Sequence, residues 1–210
     1  SSNNNGAEFG LFAALPAGGP LVELPLSTAP VQVIHNSADP AAGIVDVWVN
    51  NNKALSNFVF RTASPFVDLP TGVNLDISIT AAGSVDTTNA VFRLSGATLM
   101  NGESYVIVAN GIVSSSGFSP NTPFNLYITN NAQQSAGSPG NTDVLVFHGA
   151  TDAPHVDVVE VGLGAGQIVD NLGYGNFNGY IPLPTNDYVL RVLDSSQSVD
   201  RKSTRLNSSH

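Results

Sequence analysis

The sequence predicts an all-β protein: two tandem Ig-like antiparallel β-sandwich domains with an extended N-terminal strand segment. Three observations carry this. Twenty glycines and thirteen prolines punctuate 210 residues, a density of turn formers suited to many short strands. No apolar period of 3.6 residues persists beyond a single turn, whereas two-residue alternation such as Ile77-Ser78-Ile79 recurs. A stretch of sequence also occurs twice. "VQVIHNSADPAAGIVDVWV" (31–49) lies over "VLVFHGATDAPHVDVVEV" (144–161), and "SNFVFRTASPFVDLPTG" (56–72) lies over "DNLGYGNFNGYIPLPTN" (170–186). In the second alignment Asn57 pairs with Asn171, Phe60 with Tyr174 and Phe66 with Tyr180.

Residues 1–29 precede the first copy. Their Ser/Asn run leads into two apolar segments, "EFGLF" and "LVELPL". Both read as candidate strands, and Pro25 confines the second to a sheet edge. Such strands are hazardous when exposed, so Phe9, Leu11, Phe12, Leu21, Val22, Leu24 and Leu26 are expected to pack on another surface. Residues 30–130 form the first sandwich, with strands expected near 31–35, 44–49, 54–60, 65–69, 74–80, 89–94, 103–110 and 124–129. Asn101-Gly102 is a hairpin-type turn before the seventh of these. Trp48, the only tryptophan, is expected between the sheets. Residues 131–142, rich in Ser, Gly, Asn and Gln, read as a linker. Residues 143–199 form a shortened second sandwich, with strands near 144–148, 156–161, 167–171, 178–183 and 187–194. About three strands of the first copy have no counterpart there.

The last eleven residues, "DRKSTRLNSSH", break the composition. Lys53, Arg61, Arg93 and Arg191 serve residues 1–199, while Arg201, Lys202 and Arg205 crowd into 200–210. The peptide matches the in-frame translation of a short-read sequencing adapter. It is therefore set outside the fold, as a scar would be.

What repeats is strand, histidine, a turn with Asp and Pro, then Asp and strand. His35, Asp39, Pro40 and Asp46 carry it first; His148, Asp152, Pro154 and Asp157 carry it again. His148, Asp152, His155 and Asp157 also suggest a metal site. However, His155 is absent from the first copy, and H-x-x-x-D matches neither zinc nor calcium spacing. Aspartate suits turns because its carboxylate accepts nearby backbone N–H groups. The signature is therefore read as structural. It resembles the opening of the bacterial domain-of-unknown-function family 4397, over roughly residues 30–199. The resemblance implies a secreted or surface β-sandwich that occurs in tandem, and implies no activity.

The remaining features exclude several functions. A net charge of −9 with no basic stripe argues against nucleic acid and against an anionic membrane surface. No apolar run reaches the roughly 20 residues of a membrane helix, so no membrane insertion is expected. There is no G-x-S-x-G and no P-loop, and "GLGAG" (162–166) reads as a hairpin turn, so no enzyme is expected. No catalytic residue, cofactor or metal ligand is assigned. The leading expectation is a secreted or cell-surface structural protein. It would partner itself as a homopolymer, a head-to-tail filament assembled by N-terminal donor-strand exchange. The alternative is an adhesin or carbohydrate-binding module, with Tyr174, Phe177 and Tyr180 stacking on glycans.

Overall fold

The computed structural model describes residues 12–24, 27–196 and 200–207. The chain is all-β, and its sheets form β-sandwich layers. Nine strands build the first half: β3 (Thr28–His35), β4 (Ile44–Val49), β5 (Asn52–Val59), β6 (Thr62–Ala63), β7 (Val67–Pro70), β8 (Leu75–Ala81), β9 (Phe92–Ala97), β10 (Tyr105–Asn110) and β11 (Asn125–Asn130). One sheet runs β5-β4-β8-β9. The other runs β11-β10-β3-β6, with β7 also on β3.

The alternation along each strand decides what lies between the sheets. Val45 and Val47 of β4, Ile77 and Ile79 of β8, Val31 of β3 and Ile107 of β10 all enter the main core cluster. Local chemistry closes the turns. Asn50 and Asn51 both hold positive φ, 49° and 63°, the twist required of a two-residue hairpin between β4 and β5.

Two expectations change here. Trp48 is buried but belongs to the opposite face of β4 from Val47. Its indole N–H donates to Thr80 Oγ1 at 2.9 Å, and Lys53 Nζ lies 4.9 Å from its ring centroid. The alternation Val45-Asp46-Val47-Trp48 dictates this: once the valines face the core, the tryptophan cannot. The sheets are also not wholly antiparallel. β10 pairs with β3 in parallel, Tyr105 opposite Val31 and Ala109 opposite His35.

The second half holds β12 (Asn141–Phe147), β13 (Val156–Glu160), β14 (Gly166–Leu172), β15 (Phe177–Pro184), β16 (Asp187–Asp194) and β17 (Asp200–Asn207). The order β14-β13-β16-β17 reproduces β5-β4-β8-β9 strand for strand. β12 and β15 form a two-stranded sheet, in the places of β3 and β7. Among the described residues no strand takes the places of β10 and β11, so the other edge of β12 is unpaired. Residues 200–207, set outside the fold on composition, instead pair antiparallel with β16 from Asp187↔Asn207 to Leu193↔Asp200. Backbone pairing asks little of composition, so a polar peptide can serve as an edge strand.

At the N-terminus β1 (Phe12–Ala13) pairs with β2 (Val22–Glu23) as a two-stranded sheet of its own. Its apolar side chains stay in water: Phe12 is 48% exposed, Leu21 62%, Val22 45% and Leu24 42%. Phe9, Leu11 and Leu26 lie outside the described residues.

Candidate functional site

The signature residues have partners that explain the repeat. His35 is fully buried, and its Nε2 lies 2.6 Å from the Ala42 carbonyl. That distance makes Nε2 the protonated nitrogen and leaves Nδ1 buried and without a hydrogen-bond partner among the described residues. Burial lowers the pKa of His35, and the bond to Ala42 opposes this only in part. His148 repeats the contact, Nε2 to the Pro154 carbonyl at 2.8 Å. Each ring also packs on the aromatic of the repeat alignment: Phe60 lies 6.1 Å from His35, and Tyr174 6.2 Å from His148, both edge-on. In both copies the histidine ties the end of one strand to the turn that begins the next.

Asp46 and Asp157 share a second device. Asp46 accepts from Asn57 N at 2.8 Å, Gly83 N at 3.0 Å and Lys53 Nζ at 2.7 Å. Burial pushes its pKa up, but the Lys53 and backbone donors outweigh burial and hold it below the usual aspartate value. Asp157 accepts from Asn171 N at 2.8 Å. Each aspartate therefore caps a bulge in the neighbouring strand, where the ladder shifts between Val45 and Val47 and again between Val156 and Val158. The carboxylate takes the N–H that the bulge withdraws from the ladder.

Asp39 and Asp152 diverge. Asp39 caps the 3₁₀ turn Pro40–Ala42 through Ala41 N. It also receives Val113 N at 2.9 Å, Ser114 N at 2.7 Å and Ser114 Oγ at 3.0 Å. Burial pushes its pKa up, yet these donors leave it lowered. They sit just after β10, so Asp39 pins the β10–β11 loop. Asp152 is exposed, in the half where no such loop is described. Near it opens a cavity of about 460 Å³ lined by Val146, His148, Asp152, Val156, Leu172 and Val192. In the first half, Ile107 and Ala109 of β10 and Leu126 of β11 join the core on the corresponding side of β3.

The sequence cluster His148, Asp152, His155 and Asp157 is thus dispersed: His148 is bound to Pro154, Asp157 to the β14 bulge, and Asp152 and His155 are exposed. The three aromatics considered for glycans are engaged in a seam between the halves. There Val106 and Val108 pack with Leu145, Phe147 and Phe177. Phe177 lies 4.8 Å from Phe147. Tyr174 meets Tyr127 edge-on at 5.8 Å, and its hydroxyl accepts from Asn110 Nδ2 at 3.0 Å. The Tyr180 hydroxyl accepts from Gln133 N of the linker.

Three important residues carried no motif. Asn110, nearly fully buried, also donates to the Gly149 carbonyl at 3.0 Å. Lys53 caps Asp46. Glu160 gathers the N–H groups of Gly162, Leu163, Ala165 and Val189, closing the "GLGAG" hairpin. Burial works against its ionisation, but these donors prevail and its pKa is lowered. The only available signal was an acidic residue two positions before a glycine-rich turn.

No helix among the described residues is long and apolar enough to cross a membrane. A search of curated proteins finds no match. The model of the domain-of-unknown-function family DUF4397 matches residues 29–159, from the start of β3 through β13. A family model that covers more than half of the chain shows the family: the chain belongs to the DUF4397 family.

Proposed function

We propose that the protein is an extracellular structural protein. It is a subunit of a secreted or surface filament of tandem β-sandwich domains, joined head to tail when residues 8–26 of one subunit add as a strand to a sheet of its neighbour. One observation carries this reading. Phe12, Leu21, Val22 and Leu24 sit 42–62% exposed on or beside a two-stranded ribbon that, among the described residues, joins no larger sheet. A lone ribbon of this kind is marginal in water. Fully burying such a side chain is worth about 1.5–3 kcal/mol, so covering the exposed half returns roughly 1 kcal/mol apiece. Ordering the segment costs about 1–2 kcal/mol per residue, so main-chain pairing must supply much of the affinity. Sparse charge, with polarity supplied by Asn, Ser and Thr, favours a surface that packs against its own kind.

The test is a chain lacking residues 1–29, compared with the full chain by electron microscopy and light scattering. The full chain should form filaments and the shortened chain should stay monomeric. Filaments that persist without the segment refute the proposal.

A further inference from the structure

The two halves differ in what closes them. In the first half β10 lies parallel on the edge of β3 that faces away from β7, and β11 lies antiparallel on β10. Ile107 stands opposite Val33. With Leu126 it fills the space bounded by Val33, Val47 and Ile79, leaving about 30 Å³. Val146, Val158 and Val192 hold the same positions in the second half. Val146 aligns with Val33 in the repeat, and Val158 faces Val192 as Val47 faces Ile79. There the same space opens into the cavity of about 460 Å³. Among the described residues β12 pairs with β15 alone, so its other edge presents free N–H and C=O groups. The second half is short of one antiparallel pair of strands with apolar side chains.

The β1–β2 ribbon is a pair of that kind. Ala13 stands across from Val22, and Phe12 across from Glu23. Residues paired across a ribbon share a face, as do residues two apart along a strand. Val22, Ala13 and Leu24 therefore form an aliphatic face, with Phe12 and Leu21 on the other. Strand β10 meets the same demand, with Ile107 in the core and Val106 and Val108 in the seam. A ribbon that is already paired also loses less freedom on docking than an extended tail does.

The chain's own ribbon does not reach this edge. Laid on β12 as β10 lies on β3, with Val22 beside Val146, β2 would bring Leu24 beside His148. Gly149 is held there by Asn110, which also holds Asn36, just past the far end of β3. Thr28 is eight residues of strand from Asn36, roughly 26 Å. Leu24 precedes Thr28 by only four residues, a reach of about 14 Å.

We infer that the open edge of β12, with the cavity behind it, accepts the β1–β2 ribbon of a second copy of the chain. Strand β2 takes the place of β10, Val22 and Leu24 enter between the sheets, and β1 takes the place of β11. This rests on the reading that the N-terminal segment adds to a neighbour's sheet, and it names the acceptor. The donor precedes the first half and the acceptor lies in the second, so the contact repeats without closing.

The chain has no cysteine, so introduced thiols report proximity cleanly. Full chains carrying Val22→Cys are mixed with full chains carrying Val146→Cys and treated with a short bis-maleimide. The expected product is a dimer joined from position 22 to position 146, at least tenfold more abundant than the dimer formed with Ile44→Cys, an exposed position on the other sheet of the first half. Linkage no greater than at position 44 overturns the inference. So does a doubly substituted chain that links its own two positions at high dilution, since its ribbon then fills its own cavity. Should Val146→Cys fail to fold, hydrogen exchange in the unsubstituted chain decides. The β12 amides not bonded to β15 should slow at least tenfold between dilute and concentrated solution, and Val22→Asp should abolish the gain; exchange independent of concentration overturns the inference. Failure here, with a chain lacking residues 1–29 still monomeric, leaves strand donation standing with another acceptor. Success here, with filaments that survive that truncation, keeps the contact and removes the filament mechanism alone.

Discussion

Asn57 and Asn171 stand in the same left-handed conformation, φ 51° in each, and each donates its backbone N–H at 2.8 Å to the aspartate of the preceding strand. The two residues are 114 positions apart (171 − 57), yet they solve one problem in one way. A bulge aims an amide into the interior, a carboxylate meets it, and asparagine tolerates the backbone that results.

Substituting these asparagines should separate backbone strain from side-chain contact. Asn57→Gly should leave stability within about 0.5 kcal/mol, and Asn57→Val should cost about 1–2 kcal/mol, because a β-branched residue resists positive φ. Urea denaturation checks both. A tolerated valine would show that the bulge relaxes at little cost.

The two bulge-capping aspartates should differ in weight. Asp46→Ala strands Asn57 N and Gly83 N and takes the carboxylate from Lys53, which keeps the Ser84 carbonyl, and should cost about 3 kcal/mol. Asp157→Ala removes the acceptor of Asn171 N and should cost about 1–2 kcal/mol. Equal losses by calorimetry would contradict this ranking.

Acid should weaken the fold in two stages. His35 is held below its ordinary value of 6.5 by burial. The unfolded chain therefore takes up a proton first as pH falls below 6.5, and stability declines until the depressed folded value is passed; above 6.5 this contribution is complete. Asp39 and Asp46 are held below 3.8 because their donors outweigh burial. Their contribution is complete above 3.8 and is lost as pH falls through their folded values. Urea midpoints at pH 7.5, 5 and 3 should fall at each step, and His35→Gln should flatten the first. A wild-type midpoint unchanged between pH 7.5 and 5 would count against a buried neutral His35.

The seam between the halves should fail before either half does. Gly175 has φ 79°, and a Cβ there would lie 2.6 Å from Tyr127 Cε1. Gly175→Ala should push the tyrosine off Phe147 and Tyr174, and speed proteolysis within 131–140 at least tenfold, with far-UV circular dichroism unchanged. An unaltered cleavage rate would mean that the seam is not what protects the linker.

Much of the fold was legible because strands announce themselves locally. Ile77-Ser78-Ile79 alternates, the repeat doubles many cues, and the "VDVWV" of β4 returns as "VDVVEV" at β13. The repeat singles out His35 and Asp39, but it does not reveal their partners. Asp39 meets Ser114 across 75 positions, and no local pattern encodes such a meeting. The parallel run of β10 beside β3 was hidden for the same reason, since direction depends on how the chain crosses between sheets. Trp48 lies on the face opposite to the one expected for it, although the valines on either side already assign that face. Tyr174 and Tyr180 alternate like core residues, and only the packing of one half on the other reveals what they cover.

The parallel pairing of β3 and β10 governs how this unit bears a load. Asn130, where β11 ends, lies opposite Tyr105, and Tyr105 lies opposite Val31 near the beginning of β3. The chain therefore enters and leaves this sheet at the same end, about two strand spacings or 10 Å apart. Tension applied through the two neighbours acts across the rungs rather than along them, so hydrogen bonds break one after another from the Tyr105–Asn130 rung instead of sharing the force. A fibre of such units would yield at low force and lengthen by peeling, then recover when released: a compliant tether rather than a stiff rod.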